Sequence, residues 1–152
     1  MMRNLELEIY DHSGNAAISP QLVERWHNCL SECLNELALL PKGPDHVLSE
    51  LNTVEISLVD DDCIAEVHGR FLNDPTPTDV ITFPHGDGMG EILISADTAT
   101  RQSTELGEPW EREIFRYMVH GMLHLHGHLD YDSEQREAMF SFQEPLVLKY
   151  WH

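Results

Sequence analysis

Apolar and polar residues are arranged in four short stretches of this chain in patterns that predict β-strands. Residues 5–9 change between apolar and polar side chains with period two, which is typical of a strand with one buried face. Apolar runs at residues 54–59, 80–83 and 92–94 predict three further strands. The last two are separated by HGDGMG, a sequence that favours a turn.

Helical patterns fill the intervals between these strands. Ser19 followed by Pro20 is a typical helix start, because serine caps the first turn and proline fits its first position. Asp132 and Gln135 resemble a capping box. Helix starts are predicted after Ser19, at the acidic residues 60–62, near Ala96, near Trp110 and after Asp132. This order predicts an α+β fold in which a mixed four-stranded sheet is surrounded by about five helices, within a single domain of residues 1–152.

The composition argues against several classes of function. Acidic residues number 27 against 9 lysines and arginines, a formal charge of −18, and the basic residues form no cluster. Binding to double-stranded DNA is disfavoured, because neutralising its phosphates needs a basic surface. The sequence shows neither a membrane-spanning apolar run nor a signal-peptide pattern. Its three cysteines lack CxxC spacing, which favours a reducing compartment and hence the cytoplasm.

Four histidines and one aspartate lie within residues 120–130, HGMLHLHGHLD. His120 and His124 belong to a predicted helix that is apolar around nearly its whole circumference, so this helix should be buried on most sides. Four residues advance a helix by about 400°, roughly one turn, and both imidazoles therefore lie on one face and can bind one metal ion. Gly127 suits the left-handed conformation that ends a helix and turns the chain back toward the pair.

Three side chains further along are candidates for a third metal ligand. His126 lies about 200° around the helix from His124 and should point away. His128 follows the glycine directly, with little chain in which to reverse direction. Asp130 has the same separation from His120 as the last ligand of zinc hydrolases with HExxHxxGxxH or HExxHxxGxxD motifs. We therefore predict a zinc site formed by His120, His124 and Asp130.

Residue 121 separates this stretch from the HExxH metalloproteases. Those enzymes use the glutamate after the first histidine as general base, and this chain has Gly121 there. Peptide hydrolysis by that route is therefore disfavoured. We expect the glycine to let a large group approach the metal closely.

The histidine stretch resembles the signature HGxLHLxGYDH of the YbeY-type rRNA maturation endoribonucleases, a family of single-domain bacterial zinc proteins. PTDVITFP at residues 77–84 is similar to the family's PTDVLSFP, and GEILIS at residues 90–95 to its GDIxIS. The order and spacing of the motifs agree from about Val54 to the final helix. The resemblance implies metal-dependent hydrolysis of single-stranded RNA in ribosomal RNA maturation and ribosome quality control, with His120 and His124 as zinc ligands.

The chain departs from the family pattern at the third ligand, because the family histidine falls on Asp130. Zinc held by two histidines and one carboxylate leaves a net charge near +1, compared with +2 for three histidines, so water at the ion should be less acidified. Zinc sites that contain a carboxylate are nevertheless catalytic in other enzymes.

A second departure lies before the PTD motif, where the family usually carries NxxYRGKDxPTD. The arginine of that pattern falls on Leu72 and its asparagine on His68. Arg70 is close in sequence and is either a substitute cation or a solvent-facing side chain. We expect Arg70, with His68, to stabilise the charge that develops on the phosphate.

The proposed reaction uses zinc to polarise the phosphoryl group. The sequence does not decide between hydroxide supplied at the metal and the RNA 2′-hydroxyl as the attacking group. Because the acidic chain should repel free RNA, we expect engagement through a local cationic cleft or docking to a ribosomal protein. Two other interpretations remain: a zinc hydrolase of a peptide or small molecule, and a non-catalytic ribosome-assembly factor with a structural zinc.

Overall fold

The computed structural model describes residues 5–74, 76 and 78–151, and this part of the chain contains four strands and five α-helices. Pro77, the first residue of the PTD motif, lies outside the described residues. The strands are β1 (Glu6–Asp11), β2 (Thr53–Val59), β3 (Val80–Pro84) and β4 (Met89–Ser95). The helices are α1 (Pro20–Leu37), α2 (Asp61–Leu72), α3 (Ala96–Leu106), α4 (Trp110–Leu125) and α5 (Ser133–Tyr150).

The four strands form one mixed sheet in the order β1-β2-β4-β3. The first three strands of that order are parallel, with Ile56 paired to Ile9 on one side and to Ile92 on the other. β3 runs antiparallel to β4 and forms an edge of the sheet. The predicted α+β class with a mixed four-stranded sheet and five helices is confirmed.

Successive residues of β4 face two different cores, as the alternation of side chains along a strand requires. Ile92 and Ile94 are fully buried in the larger core, which includes residues of α1, α3, α4 and α5. Leu93 belongs to a smaller core on the other face, together with Ile64 of α2 and Ile81 of β3. The sheet is therefore covered on both faces, and α4 lies in the larger core with most of its circumference buried.

The two predicted helix caps are present, at the starts of α1 and α5. The Ser19 hydroxyl accepts a hydrogen bond from the Leu22 amide at 3.1 Å, and Pro20 is the first residue of α1. Asp132 and Gln135 form the capping box of α5. Within the described part of the chain, no helix combines the length and apolar character needed to cross a membrane.

Candidate metal centre

His120 and His124 lie on the same face of α4, one turn apart, as the four-residue spacing predicts. Their Nε2 atoms approach to 3.1 Å, and their rings are perpendicular with centroids 4.6 Å apart. Their side chains are 22% and 25% exposed. Both imidazoles are therefore mostly enclosed by protein, with about a quarter of each side chain exposed.

The turn after α4 brings Asp130 to this pair. Gly127 has φ +96°, and its amide donates to the His124 carbonyl, while the His128 amide donates to the Leu123 carbonyl, both at 3.0 Å. This is the hydrogen-bond pattern of a Schellman helix end. Asp130 Oδ2 then lies 3.3 Å from each of the two histidine Nε2 atoms. The structure thus brings the three predicted ligand side chains together.

The hydrogen bonds on the far side of each ring determine which nitrogens carry protons. His124 Nδ1 lies 3.0 Å from the backbone carbonyl of His128, which can only accept, so this nitrogen is the donor. His120 Nδ1 likewise donates to Gln143 Oε1 at 2.7 Å. Each neutral imidazole therefore directs the Nε2 lone pair toward its neighbour and toward Asp130.

Three acceptor atoms thus converge without a hydrogen between them, which is unfavourable unless a cation occupies the space. Their separations of 3.1, 3.3 and 3.3 Å match the edges of a tetrahedron around zinc, which are about 3.3 Å for bonds of about 2.0–2.1 Å. The residues therefore fit a metal ion, and His120, His124 and Asp130 are the group of potential ligands found in the described residues. That they bind one stays a prediction.

The pKa values of His120, His124 and Asp130 also reflect the closeness of three groups that favour a cation between them. Burial lowers the pKa of His120, but hydrogen bonding to Asp130 and Gln143 raises it above its usual value overall. Burial and the neighbouring His120 lower the pKa of His124. Hydrogen bonding to His120 lowers the pKa of Asp130. A proton bound at His120 therefore competes with a metal ion for this site.

His126 and His128, the two histidines disfavoured as ligands, contact a different part of the chain. His126 Nε2 donates to the Leu40 carbonyl at 2.9 Å, and His128 Nε2 donates to the Pro41 carbonyl at 2.8 Å. Both imidazoles therefore attach the segment after α1 to the end of α4. This structural use was not foreseen from the sequence.

Gly43 and Gly127 allow these two segments to touch through their backbones. An added Cβ on Gly43 would lie 1.9 Å from the Gly127 carbonyl oxygen, and one on Gly127 would lie 2.5 Å from the Gly43 carbonyl oxygen. The Gly43 amide also donates to the His126 carbonyl at 3.1 Å. Because Gly127 begins the turn that leads to Asp130, this contact supports the position of the third candidate ligand.

Gly121 faces the sheet and not the candidate metal centre. A Cβ at this position would lie 2.9 Å from two side-chain carbons of Ile92, which is fully buried on β4. The expectation that this glycine opens space beside the metal is therefore wrong. Its small size instead allows α4 to approach the sheet closely, and a glutamate here would enter the core.

Arg70 and His68 make their contacts away from the three-residue cluster. Arg70 pairs with Glu66, one turn earlier on α2, at 2.9 Å, and its side chain is 64% exposed. His68 Nδ1 donates to the Thr76 carbonyl at 2.9 Å. Neither residue lines the two cavities next to the cluster. Their role in catalysis stays a prediction.

Those two cavities open on different sides of the cluster. The larger, about 430 Å³, reaches His124 and is lined by β3 and by residues of the segments 44–47 and 127–131. Leu72, at the position of the family arginine, also lines this cavity and provides no charge. The smaller, about 190 Å³, is lined by His120, Asp130 and four residues of α5.

Two of those α5 residues, Arg136 and Gln143, carry functional groups that sequence reasoning missed. Arg136 lies in the first turn, and its guanidinium makes long hydrogen bonds, 3.3 and 3.4 Å, to two backbone carbonyls of the described residues. Gln143 is a buried polar residue on the stripe that also buries Met139, Leu146 and Val147. That interruption of an apolar stripe was the available signal for Gln143, whereas nothing in the sequence distinguishes Arg136.

The chain is similar to known proteins over most of its length. A family model described as "Endoribonuclease YbeY" matches residues 9–150. A protein with that name from Heliobacterium modesticaldum is 32% identical over 94% of both chains. One from Aquifex aeolicus is 39% identical over 74% of this chain and 76% of its own. The solution structure of a Thermotoga maritima protein superposes with a TM-score of 0.65 at 25% identity, covering 95% of this chain and 89% of the other.

Proposed function

The chain belongs to the YbeY endoribonuclease family, and from that premise we propose that it is a zinc-dependent endoribonuclease that cuts single-stranded RNA in ribosomal RNA maturation. His120, His124 and Asp130 would hold the zinc within one domain of residues 1–152. We place the activity in the cytoplasm, where the thiols of Cys33 and Cys63 stay reduced.

The observation that carries the metal part of this proposal is the convergence of three acceptor atoms. Two imidazole nitrogens and one carboxylate oxygen lie 3.1–3.3 Å apart, and each imidazole is oriented by a hydrogen bond at its other nitrogen. Nitrogen and oxygen ligands with this spacing suit zinc, and a site with three protein ligands leaves a fourth position open, as in catalytic zinc sites.

When bound, zinc supplies Lewis-acid chemistry: it polarises a phosphoryl oxygen and makes water a better nucleophile near neutral pH. The residues of the chain orient the RNA and neutralise the charge of its phosphate. The Nδ1 protons of His120 and His124 are committed to Gln143 and to a backbone carbonyl, so neither imidazole can accept a proton at that nitrogen. Gly121 provides no carboxylate. The attacking group is therefore water or the RNA 2′-hydroxyl, without a general base from these three positions.

The larger cavity gives a path for the RNA strand. It runs from β3, an edge strand, to His124. Phe83 and Tyr131 lie along it, and Tyr131 is 82% exposed. Aromatic side chains stack on bases that have left a duplex, which favours single-stranded RNA over paired RNA.

Arg136 is better placed than Arg70 to contact the phosphate beside the metal. It lines the smaller cavity together with His120 and Asp130, and its two long hydrogen bonds to carbonyls leave most of its donors available. Arg70 is engaged with Glu66 in the described structure. We therefore assign phosphate contact to Arg136 and keep Arg70 and His68 as secondary candidates.

The test compares cleavage of a single-stranded RNA and of the same sequence in a duplex. Protein purified without a histidine tag is depleted of metal, and activity is measured before and after zinc is restored. His124→Ala is the informative variant, and His12→Ala is its control, because His12 is an exposed imidazole outside the cluster and both cavities. Circular dichroism reports whether each variant is folded.

We expect zinc to restore cleavage of the single strand, and His124→Ala to be folded and inactive while His12→Ala is fully active. A His124→Ala variant that does not fold would instead indicate a structural zinc. Zinc-loaded protein that cleaves no RNA in a chelator-sensitive manner would refute the proposal. Comparing free RNA with ribosome-bound precursor tests docking, because equal rates at physiological salt would exclude dependence on a ribosomal protein.

A further inference from the structure

Gln143 lies behind His120, the first candidate ligand, at a position that no metal-binding motif includes. We propose that Gln143 is a positioning residue that fixes His120 in the tautomer whose Nε2 faces the metal, and that Glu144 and Arg116 fix the direction of the Gln143 amide. The metal part of this inference rests on the proposed function. The tautomer part concerns the metal-free protein and does not.

The first contact in this chain of interactions is short and enclosed. Gln143 Oε1 lies 2.7 Å from His120 Nδ1, and Gln143 is only 6% exposed. An oxygen in this place can only accept, so the proton of the neutral ring must lie on Nδ1 and the lone pair on Nε2. If the amide were rotated by half a turn, its NH₂ group would face Nδ1. The ring would then protonate at Nε2, and that nitrogen could not bind a metal.

The second contact prevents that rotation. Gln143 Nε2 donates to Glu144 Oε2 at 3.0 Å. A carboxylate has no hydrogen to donate, so the group of Gln143 that faces it must be the NH₂. The direction of the amide therefore follows from the presence of an acceptor on one side, and the tautomer of His120 follows from the direction of the amide.

The third contact holds the Glu144 carboxylate in place. Arg116 on α4 donates to both oxygens of Glu144 at 2.9–3.1 Å, and its Nη1 also donates to Glu108 at 2.9 Å and to Glu113. These charge-assisted bonds lock a fork-like guanidinium against several carboxylates. The tautomer of His120 on α4 therefore depends on Gln143 and Glu144 of α5. These are in turn held by Arg116, which lies on α4.

This arrangement differs from the one at His124, whose Nδ1 proton goes to a backbone carbonyl that cannot rotate. Substituting a neighbouring side chain can therefore change the tautomer of His120 but not the tautomer of His124. Groups that orient metal-bound histidines contribute about 10- to 100-fold in metal affinity. We expect a loss in that range when the acceptor behind His120 is removed.

The experiment uses four variants of the full chain. Gln143→Leu removes the acceptor at similar size, and Gln143→Glu restores a group that can only accept. Glu144→Gln removes the constraint on the amide, because a second amide can present either its oxygen or its NH₂. Glu108→Gln is its matched control, since Glu108 also pairs with Arg116 but does not contact Gln143.

Two measurements are made on each variant. Nitrogen-15 NMR of the neutral His120 ring in metal-free protein reports the tautomer, and zinc affinity is measured by competition with a chelator. We expect Gln143→Leu to shift His120 toward the Nε2-protonated form and to weaken zinc binding about 10- to 100-fold. Gln143→Glu should keep the wild-type tautomer and recover most of the affinity. Glu144→Gln should give a mixture of tautomers and Glu108→Gln should not.

An unchanged tautomer in folded Gln143→Leu would overturn the role of Gln143. If that variant does not fold, a Glu144→Gln spectrum identical to that of Glu108→Gln would overturn the mechanism. Both outcomes can be distinguished from failure of the proposed function, because the tautomer is read without metal or RNA. Wild-type protein that binds zinc and leaves RNA intact would remove the endoribonuclease proposal and leave the positioning role standing.

Discussion

Replacing Gly43 by alanine tests whether the backbone contact between Gly43 and Gly127 holds the candidate metal centre together. The added methyl group would lie 1.9 Å from the Gly127 carbonyl oxygen and 2.4 Å from its carbonyl carbon. Neither atom belongs to a side chain that could rotate away. Gly43 does not have a positive φ, so alanine is tolerated by its own backbone conformation and the effect should be steric only.

The magnitude follows from what must move. To make room for the methyl group, the segment 40–47 has to separate from the end of α4. Four hydrogen bonds join these segments, and their acceptors are the carbonyls of Leu40, Pro41, Leu125 and His126. At a net value of about 0.5–1.5 kcal/mol each, losing all of them would cost about 2–6 kcal/mol. Partial separation costs less, so we expect a loss of about 3 kcal/mol, the upper end of typical overpacking.

The assay is urea unfolding at pH 7 with chelator present, so that metal does not contribute to the stability of any variant. Gly86→Ala is the matched control, because Gly86 also lacks a positive φ and an added Cβ would meet no heavy atom within 4 Å. This control should be neutral or up to about 1 kcal/mol more stable, since alanine restricts the unfolded chain. Zinc affinity should also fall in Gly43→Ala, because the turn that presents Asp130 is displaced. Equal unfolding free energies for the two alanine variants would refute the steric argument.

Three further predictions concern charge and thiol chemistry. Arg136→Met should lower kcat/KM for RNA cleavage roughly 10- to 100-fold, a smaller loss than removal of a fully buried hydrogen-bond donor causes. Arg70→Met should leave kcat/KM unchanged. The reverse ranking would restore Arg70 as the phosphate contact. Burial favours a raised pKa for Asp61, but hydrogen bonds from one guanidinium and two hydroxyls lower this pKa overall. The ionised Asp61 therefore stabilises the fold above about pH 4, and this stabilisation is lost as the pH falls below that value. The urea midpoint of wild type should fall more between pH 5 and 3 than that of Asp61→Asn, and parallel curves would contradict this. Burial raises the pKa of Cys33 to about 12, whereas Cys63 is exposed, so iodoacetamide at pH 8 should label Cys63 in the folded protein and Cys33 only after unfolding, as mass spectrometry can verify.

The predictions that succeeded from sequence are those that depend on short spacings. The separation of His120 and His124 fixes their common face, because helix geometry leaves no alternative once the helix exists. The position of Gly127 predicts the helix end, since left-handed backbone conformations favour glycine. The same local logic identified the caps of α1 and α5. The structure confirms these two helix starts and the end of α4 before Gly127.

The parts that failed depend on contacts between residues far apart in sequence. Whether Gly121 faces a metal or a sheet depends on the packing of α4 against β4, and the helical pattern alone does not distinguish these cases. Gly43 could not be linked to Gly127 from sequence, because the segments that contain them pair only in the folded chain. Arg136 and Gln143 reach the candidate site only through the packing of α5 on α4.

The charge of the chain constrains how such a centre could engage RNA. A body of net charge −18 repels a polyanion, but at physiological salt this repulsion is screened beyond about 8 Å. Within that distance, the larger cavity contributes two histidines and aromatic surface, and Asp45 is the one acidic residue among its described lining. The smaller cavity contributes Arg136. Binding must then rest on stacking, on the Arg136 guanidinium and on the proposed metal ion. Few phosphates are neutralised, so affinity for free RNA should be low and should depend weakly on salt. A second protein surface that presents the RNA would remove this limit, which is why docking to a ribosomal protein fits the charge of this chain better than capture of RNA from solution.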